Sequence, residues 1–182
     1  KVYDGTTAAT ASLAIDPSGF VGSETVTASV SDATFNSKDV ASATTVTVNT
    51  LSLADGTNGG LASNYSLASG QTVAASITAK PLTVSGSTAA SKTYNGNTNA
   101  TVTVGTLAGF ISTETVTATA TGIFNSKDVA TASSVVATYS LANGTNGGLA
   151  TNYSLVDASP LSATISPRDL FVAGTADNKV YD

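Results

Sequence analysis

The feature that most constrains this chain is a long internal repeat: most of its first half recurs in its second. Lys1-Val2-Tyr3-Asp4-Gly5 returns as Lys92-Thr93-Tyr94-Asn95-Gly96, and once more as Lys179-Val180-Tyr181-Asp182. Glu24-Thr25-Val26-Thr27-Ala28 returns as Glu114 to Ala118, and Phe35-Asn36-Ser37-Lys38-Asp39-Val40 returns unchanged as Phe124 to Val129. Asp55-Gly56-Thr57-Asn58-Gly59-Gly60-Leu61 becomes Asn143 to Leu149, and Asn64-Tyr65-Ser66-Leu67 becomes Asn152 to Leu155. A period near 90 residues is too long for one coil of a solenoid. It is close to the roughly 100 residues of an autonomous β-sandwich. Each repeat is therefore expected to be a domain with its own core.

The spacing between equivalent residues drifts, from 91 at Tyr3/Tyr94 to 90 at Glu24/Glu114, 89 at Phe35/Phe124 and 88 at Asn64/Asn152. Each drop is one extra residue in the first copy. One falls near Asp32 to Thr34 and another between Val48 and Leu53. A single extra residue inside a strand is a β-bulge; a longer loop is the alternative.

Between the repeated blocks the patterning has period two. In Thr25 to Val30 apolar residues take the even positions and hydroxyl residues the odd, and Thr45 to Val48 and Thr101 to Val104 do the same. That is a half-buried strand with one wet face. Gly-Gly, Asn-Gly and Asp-Gly pairs punctuate the runs as turns. No segment sustains a helical period. Strands are expected near 82–86, 99–105, 114–121, 130–141, 150–156 and 161–166, with first-copy counterparts near 8–15, 24–31, 44–53, 62–68 and 73–79. Phe35, Tyr65, Phe124 and Tyr153 are the bulky residues expected to fill the cores.

Composition narrows the function classes. Charged residues are 10% of the chain, against roughly 25% in an ordinary soluble domain. Mean hydropathy is nonetheless positive at +0.18, unlike a disordered chain. A pI near 4.4, with Lys and Arg scattered, argues against nucleic acid. No apolar run is long enough to span a membrane, and any secretion signal is expected outside these residues.

The Lys-Val-Tyr-Asp-Gly opening, the Asn-Tyr-Ser-Leu segment and the closing Ile77-Thr78-Ala79-Lys80-Pro81-Leu82-Thr83-Val84 resemble the YDG/MBG-type bacterial immunoglobulin-like repeats. Such repeats occur in tandem in large secreted adhesins of the filamentous-haemagglutinin type. The resemblance implies an all-β fold of tandem immunoglobulin-like sandwiches with essentially no helix. It also implies a place outside the cell or on the bacterial surface, and no catalytic residues to carry over. In that frame residues 1–79 are a repeat lacking its first strand. Residues 80–167 are a complete repeat, and 168–182 are the first strand of a following one. An incomplete sandwich leaves an open sheet edge. Leu170, Phe171, Val172, Val180 and Tyr181 are thus candidates for an inter-chain strand, paired with residues 1–79 of a neighbouring copy. The short link at Ala79-Lys80-Pro81 is expected to limit hinge freedom.

Candidate chemistry is sparse. The chain has no His or Cys, the commonest general base and a common nucleophile. Glu24 with Asp39, and Glu114 with Asp128, are possible carboxylate pairs, or solvated turn residues. Asp55 to Gly60 loosely resembles a Ca²⁺ loop but lacks alternating acidic ligands, and Asp55 becomes Asn143 in the second copy. A Lys–Asn crosslink could use Lys38/Lys127, Asn64/Asn152 and Glu24/Glu114. Asn64, Asn99, Asn143 and Asn152 are glycosylation sequons. The Thr rows are either wet strand faces or a flat face for a ligand.

The sequence therefore predicts structural spacer repeats of a bacterial surface adhesin or extracellular fibre, not an enzyme, with no cofactor and no metal. The expected partners are neighbouring repeats and copies of the chain end to end. The rival reading is a carbohydrate- or surface-binding module that uses Thr-rich faces on a glycan or a host matrix.

Overall fold

The computed structural model describes residues 1–156 and 160–181. The fold is all-β. Its strands are β1 (Val26–Phe35), β2 (Thr45–Asp55), β3 (Thr72–Ala74), β4 (Lys80–Ser85), β5 (Thr88–Ala89), β6 (Lys92–Thr93) and β7 (Asn99–Ala100). They continue with β8 (Val102–Thr103), β9 (Thr106–Ala108), β10 (Val116–Phe124), β11 (Ser134–Asn143), β12 (Tyr153–Leu155), β13 (Leu161–Ser162) and β14 (Ile165–Ser166). Among the described residues the helical elements are three-residue 3-10 turns at Pro17–Gly19, Ala62–Asn64 and Ala150–Asn152. No helix there is long and apolar enough to cross a membrane.

The chain divides into two compact units. One comprises Lys1–Leu82, Gly109–Thr117 and Leu141–Leu155; the other comprises Thr83–Ala108, Ala118–Ser140 and Val156–Asp182. In the first unit β1, β2 and β3 form an antiparallel sheet. Val26, Ala33, Phe35, Val46 and Val48 are buried there. Their alternation with Thr and Ser is the period-two pattern made physical. In the same unit β12 pairs in parallel with the start of β4, Tyr153 opposite Lys80 and Leu155 opposite Leu82.

Two of the three extra residues of the first copy are bulges, one on each strand of the same hairpin. Val30 pairs with Leu51, Asp32 with Thr50 and Ala33 with Val48, so Ser31 and then Asn49 have no opposite partner. Each insertion alone would shift the ladder by one. Together they cancel, and the register before Val30 is the register after Ala33. Burial follows: on β1 the inward residues are even-numbered up to Val30 and odd from Ala33 to Phe35, and β2 switches in the same way. In β10 and β11, which lack the insertions, parity never changes. The Asn49 amide donates to Asp32 Oδ2 at 2.9 Å and Thr34 Oγ1 at 3.1 Å, tying the two bulges together.

In the second unit the core is Phe124, Ala132, Val135, Ala163 and Ile165, with Ala89, Tyr94, Ala100 and Val102 packed against it. There β10 pairs with β7, β11 with β13, β4 with β9, β5 with β8, and β14 runs parallel to β6.

Two expected strands of the first copy did not form. Residues 8–15 contribute only an isolated bridge, Ala8 to Thr34, and 62–68 form a 3-10 turn with no strand. The physical reason is a missing partner. In the second copy β8 pairs with β5 and β12 pairs with β4. Both partners come from the segment 80–91, whereas residues 8–15 and 62–68 pair with no such strand among the described residues. A two- or three-residue strand does not persist without a ladder.

Candidate functional site

The Lys-x-Tyr opening is a local device that both copies build alike. The Lys1 ammonium sits 5.8 Å from the Phe35 ring and Lys92 sits 5.4 Å from Phe124, a cation–π contact on the core aromatic. Asp4 accepts from the Thr6 amide at 2.9 Å and from Lys1 at 2.8 Å. That lysine hydrogen bond holds its carboxyl well down, at about 2. Asn95 accepts the matching amide of Asn97 at 3.3 Å, so the Asp-to-Asn change keeps the turn. Tyr3 is thereby held on a rigid turn, 1% exposed.

Phe-Asn-Ser-Lys-Asp-Val is a hairpin loop. Asn36 Oδ1 accepts the amides of Thr44 and Thr45, and Asn125 does the same for Ser133 and Ser134. The Ser37 and Ser126 hydroxyls accept the amides of Asp39 and Asp128. The closed loop presents Lys-Asp-Val at its tip, with each Lys on its neighbouring Asp.

Asn-Tyr and Glu form a second preorganised piece. Tyr153 Oη donates to Glu114 Oε2 at 2.6 Å and accepts from the Ile111 amide at 3.1 Å. Tyr65 repeats this with Glu24 at 2.7 Å and Val21 at 3.2 Å. Phe110 and Phe20 stand edge-on to their tyrosines, both at 5.7 Å.

In the first unit, parts from both copies meet. Tyr3 Oη donates to Glu114 Oε1 at 2.8 Å, and its ring is edge-on to Tyr153 at 5.6 Å. Lys38 Nζ lies 3.3 Å from Tyr3 Oη and 3.9 Å from Glu114 Oε1. Asn152, fully buried, donates to Asp39 Oδ1 at 2.8 Å and accepts from the Val40 amide at 2.9 Å. The electrostatics agree with the geometry. Burial, then the Glu114 carboxylate, pushes the Tyr153 hydroxyl up to about 12 and raises Tyr3 as well. The Asn152 amide holds Asp39 below its usual value, and Asp39 raises Lys38. This is a charge-assisted lock in which every group has a partner.

The chain matches the YDG domain over residues 1–73 and again over 78–161. It belongs to the YDG domain family. No curated protein and no solved structure matches it. The signature of the YDG repeat now has a physical meaning: its Tyr and Lys-Asp loop form one half of the lock, and its Glu and Asn-Tyr form the other.

The remaining sequence candidates of the YDG repeats fall into place around the lock. The proposed carboxylate pairs do not form as pairs: Glu24 and Glu114 each bind a tyrosine, and Asp39 binds Lys38 and Asn152. In the glycine loop Asp55 Oδ1 accepts the Ala62 amide at 2.7 Å, and Asn143 Oδ1 accepts the Ala150 amide at 2.8 Å. Only an oxygen is needed there, which is why Asn replaces Asp. Among the described residues no three acidic or metal-binding side chains cluster. Lys38, Glu114 and Asn152 do come together, from different copies. Asp39 Oδ1 stands between Lys38 and Asn152 and accepts from both, at 3.1 Å and 2.8 Å.

Of the expected core residues, Phe35, Phe124 and Tyr153 are buried, whereas Tyr65 is half-buried. Thr27, Ser29, Thr117 and Thr119 are exposed strand residues. Leu170, Phe171, Val172, Val180 and Tyr181 are almost fully exposed and in no strand; Asp182 lies outside the described residues. The pairing of Tyr3 with Glu114 and of Asp39 with Asn152 escaped the sequence reading. Its signal was present: these polar residues recur in both copies without any place in a core.

Proposed function

We propose that this chain is a run of structural spacer repeats from a secreted bacterial surface adhesin or extracellular fibre. The observation that carries this reading is the lock of Tyr3, Lys38 and Asp39 with Glu114, Asn152 and Tyr153. The most conspicuous polar residues of the YDG signature hold one repeat to another, leaving none arranged around a substrate. Among the described residues no buried side-chain nitrogen or oxygen lacks a partner, as suits a load-carrying element more than a reactive site. A spacer of this kind is neither enzyme nor cofactor carrier, and its partners are repeats like itself.

A second reading has one observation in its favour: Thr27, Ser29, Thr117 and Thr119 present hydroxyl groups to solvent on β1 and β10. Such rows could hold a glycan. Screening the intact chain on an array of glycans and matrix proteins separates the two. The spacer reading expects no retention. Saturable retention that is lost when Thr117 and Thr119 are changed to Lys would replace it with the binding module.

A further inference from the structure

The chain holds four Asn-Gly pairs: Asn58-Gly59, Asn95-Gly96, Asn143-Gly144 and Asn146-Gly147. At such a pair the backbone nitrogen can attack the preceding side chain with little hindrance, because glycine has no Cβ and a permissive backbone. The fold treats the four differently.

Three of them lie in the glycine loops and are held there. The side-chain amides of Asn58 and Asn146 donate to the carbonyls of Ser23 at 2.7 Å and Thr113 at 2.8 Å. Asn143 Oδ1 accepts from the Ala150 amide at 2.8 Å, and the Gly144 nitrogen donates to the Gly148 carbonyl at 3.0 Å. In each case a group that would have to react is tied to another part of the chain.

Asn95 sits on an exposed turn, and its Oδ1 accepts only from the Asn97 amide, at 3.3 Å. Among the described residues the Gly96 nitrogen has no hydrogen-bond partner. The Asn97 amide points at the oxygen on which charge develops when Cγ is attacked. The first copy shows that the turn stays open to water inside the lock: Asp4 is exposed although Tyr3 beside it is buried. It also shows that the turn accepts an acid. Asp4 takes the Thr6 amide at 2.9 Å, closer than the matching bond to Asn95, and the Lys1 ammonium at 2.8 Å. A charged acceptor makes the stronger bond.

We propose that Asn95 is a site of spontaneous deamidation, through which the second-copy turn acquires the carboxylate of the first. The Gly96 nitrogen attacks Asn95 Cγ and gives up its proton. The Cγ–Nδ2 bond breaks, and ammonia leaves with that proton as a cyclic imide closes. Water then opens the imide at one of its two carbonyl carbons, leaving a carboxylate and returning a proton to the Gly96 nitrogen. One water is consumed and one ammonia released; nothing is oxidised or reduced. Either opening adds one negative charge to the formal −5. The opening that keeps the ordinary chain linkage gives Lys92 the partner that Lys1 has in Asp4. The reaction needs only water, so the charge on this turn records the age of the chain. This goes beyond the spacer reading and does not rest on it.

Incubation of the intact chain in neutral buffer, followed by peptide mass mapping, tests the site. Asn95 is expected to gain the mass of an amide-to-acid exchange roughly tenfold faster than Asn58, Asn143 or Asn146, the factor for first breaking one ordinary hydrogen bond. In denaturant the four should convert at similar rates. In water enriched in heavy oxygen, the label should enter at residue 95. Asn95→Asp should keep the circular dichroism of the fresh wild type, carry the charge of the aged one from the start, and take up no label there. A folded chain in which Asn95 converts no faster than the other three, or gains no label, would overturn the inference. So would a preference for Asn95 that denaturant leaves unchanged, since the fold would then not be its cause.

Discussion

Tyr3 Oη and Glu114 Oε1 are 2.8 Å apart although 111 residues separate them in the chain. Glu114 already accepts from Tyr153, so one carboxylate gathers two buried phenols and lies 3.9 Å from the Lys38 ammonium. The equivalent Glu24 has Tyr65 on a half-exposed surface. The same sequence motif is thus a lock in one copy and an open half in the other.

That asymmetry predicts unequal mutational costs. Tyr153→Phe removes a bond to a charged acceptor in a buried site and should cost about 1.5–3 kcal/mol. Tyr65→Phe removes the equivalent bond at a half-exposed site and should stay within about 0.5 kcal/mol. Chemical denaturation of both variants checks the difference; equal costs would contradict the lock.

The lock should also open at high pH. The Tyr153 hydroxyl is raised from 10.0 to about 12 by burial and by Glu114. A raised folded value stabilises fully below the unfolded value and ceases to do so as pH climbs through the folded one. The contribution is therefore intact below pH about 10 and lost by about 12. Asp39 is shifted the other way, so its contribution is present above the usual carboxylate range and lost as pH falls through its folded value. Tyrosinate absorbance followed beside circular dichroism should show Tyr153 ionising together with loss of structure, later than in Tyr3→Phe.

The paired bulges make a prediction of their own. Deleting Ser31 alone shifts one strand of β1 and β2 against the other, and deleting Asn49 alone does the same. Deleting both restores the unbroken burial parity seen in β10 and β11. A one-residue slip turns a whole hydrophobic face outward, so the double deletion should be more stable than either single one. Thermal unfolding of the three variants decides this; additive losses would contradict the compensation.

Gly148 should resist substitution although it sits in a surface loop. A Cβ there would lie 1.9 Å from the Thr115 carbonyl oxygen, and at Gly60 it would lie 2.0 Å from that of Thr25. Gly148→Ala should cost about 1–3 kcal/mol or more. Gly147→Ala meets no such atom and should cost only the strain of its positive φ.

The class of fold was legible because the Thr-Val alternation admits only strands, and the repeat could be read to the residue. The insertions were legible too, as a drift in spacing that left bulge and longer loop open; the structure makes two of them bulges, each an extra residue that a ladder accommodates by a local kink. The expected strands at 8–15 and 62–68 were not legible as absent. Their residues carry strand patterning, and what they lack is a partner supplied from elsewhere. The lock was hidden for a related reason. Tyr3, Lys38, Glu114 and Asn152 each read as a turn or core residue alone, and only the folded chain brings them together.

A double-mutant cycle on Tyr3→Phe and Glu114→Gln tests the central claim most directly, with unfolding free energies of the wild type, both single variants and the double variant. The account predicts a coupling of about 0.5–3 kcal/mol between the two sites. Additivity to within about 0.3 kcal/mol would show that Tyr3 and Glu114 do not hold one YDG repeat to the other.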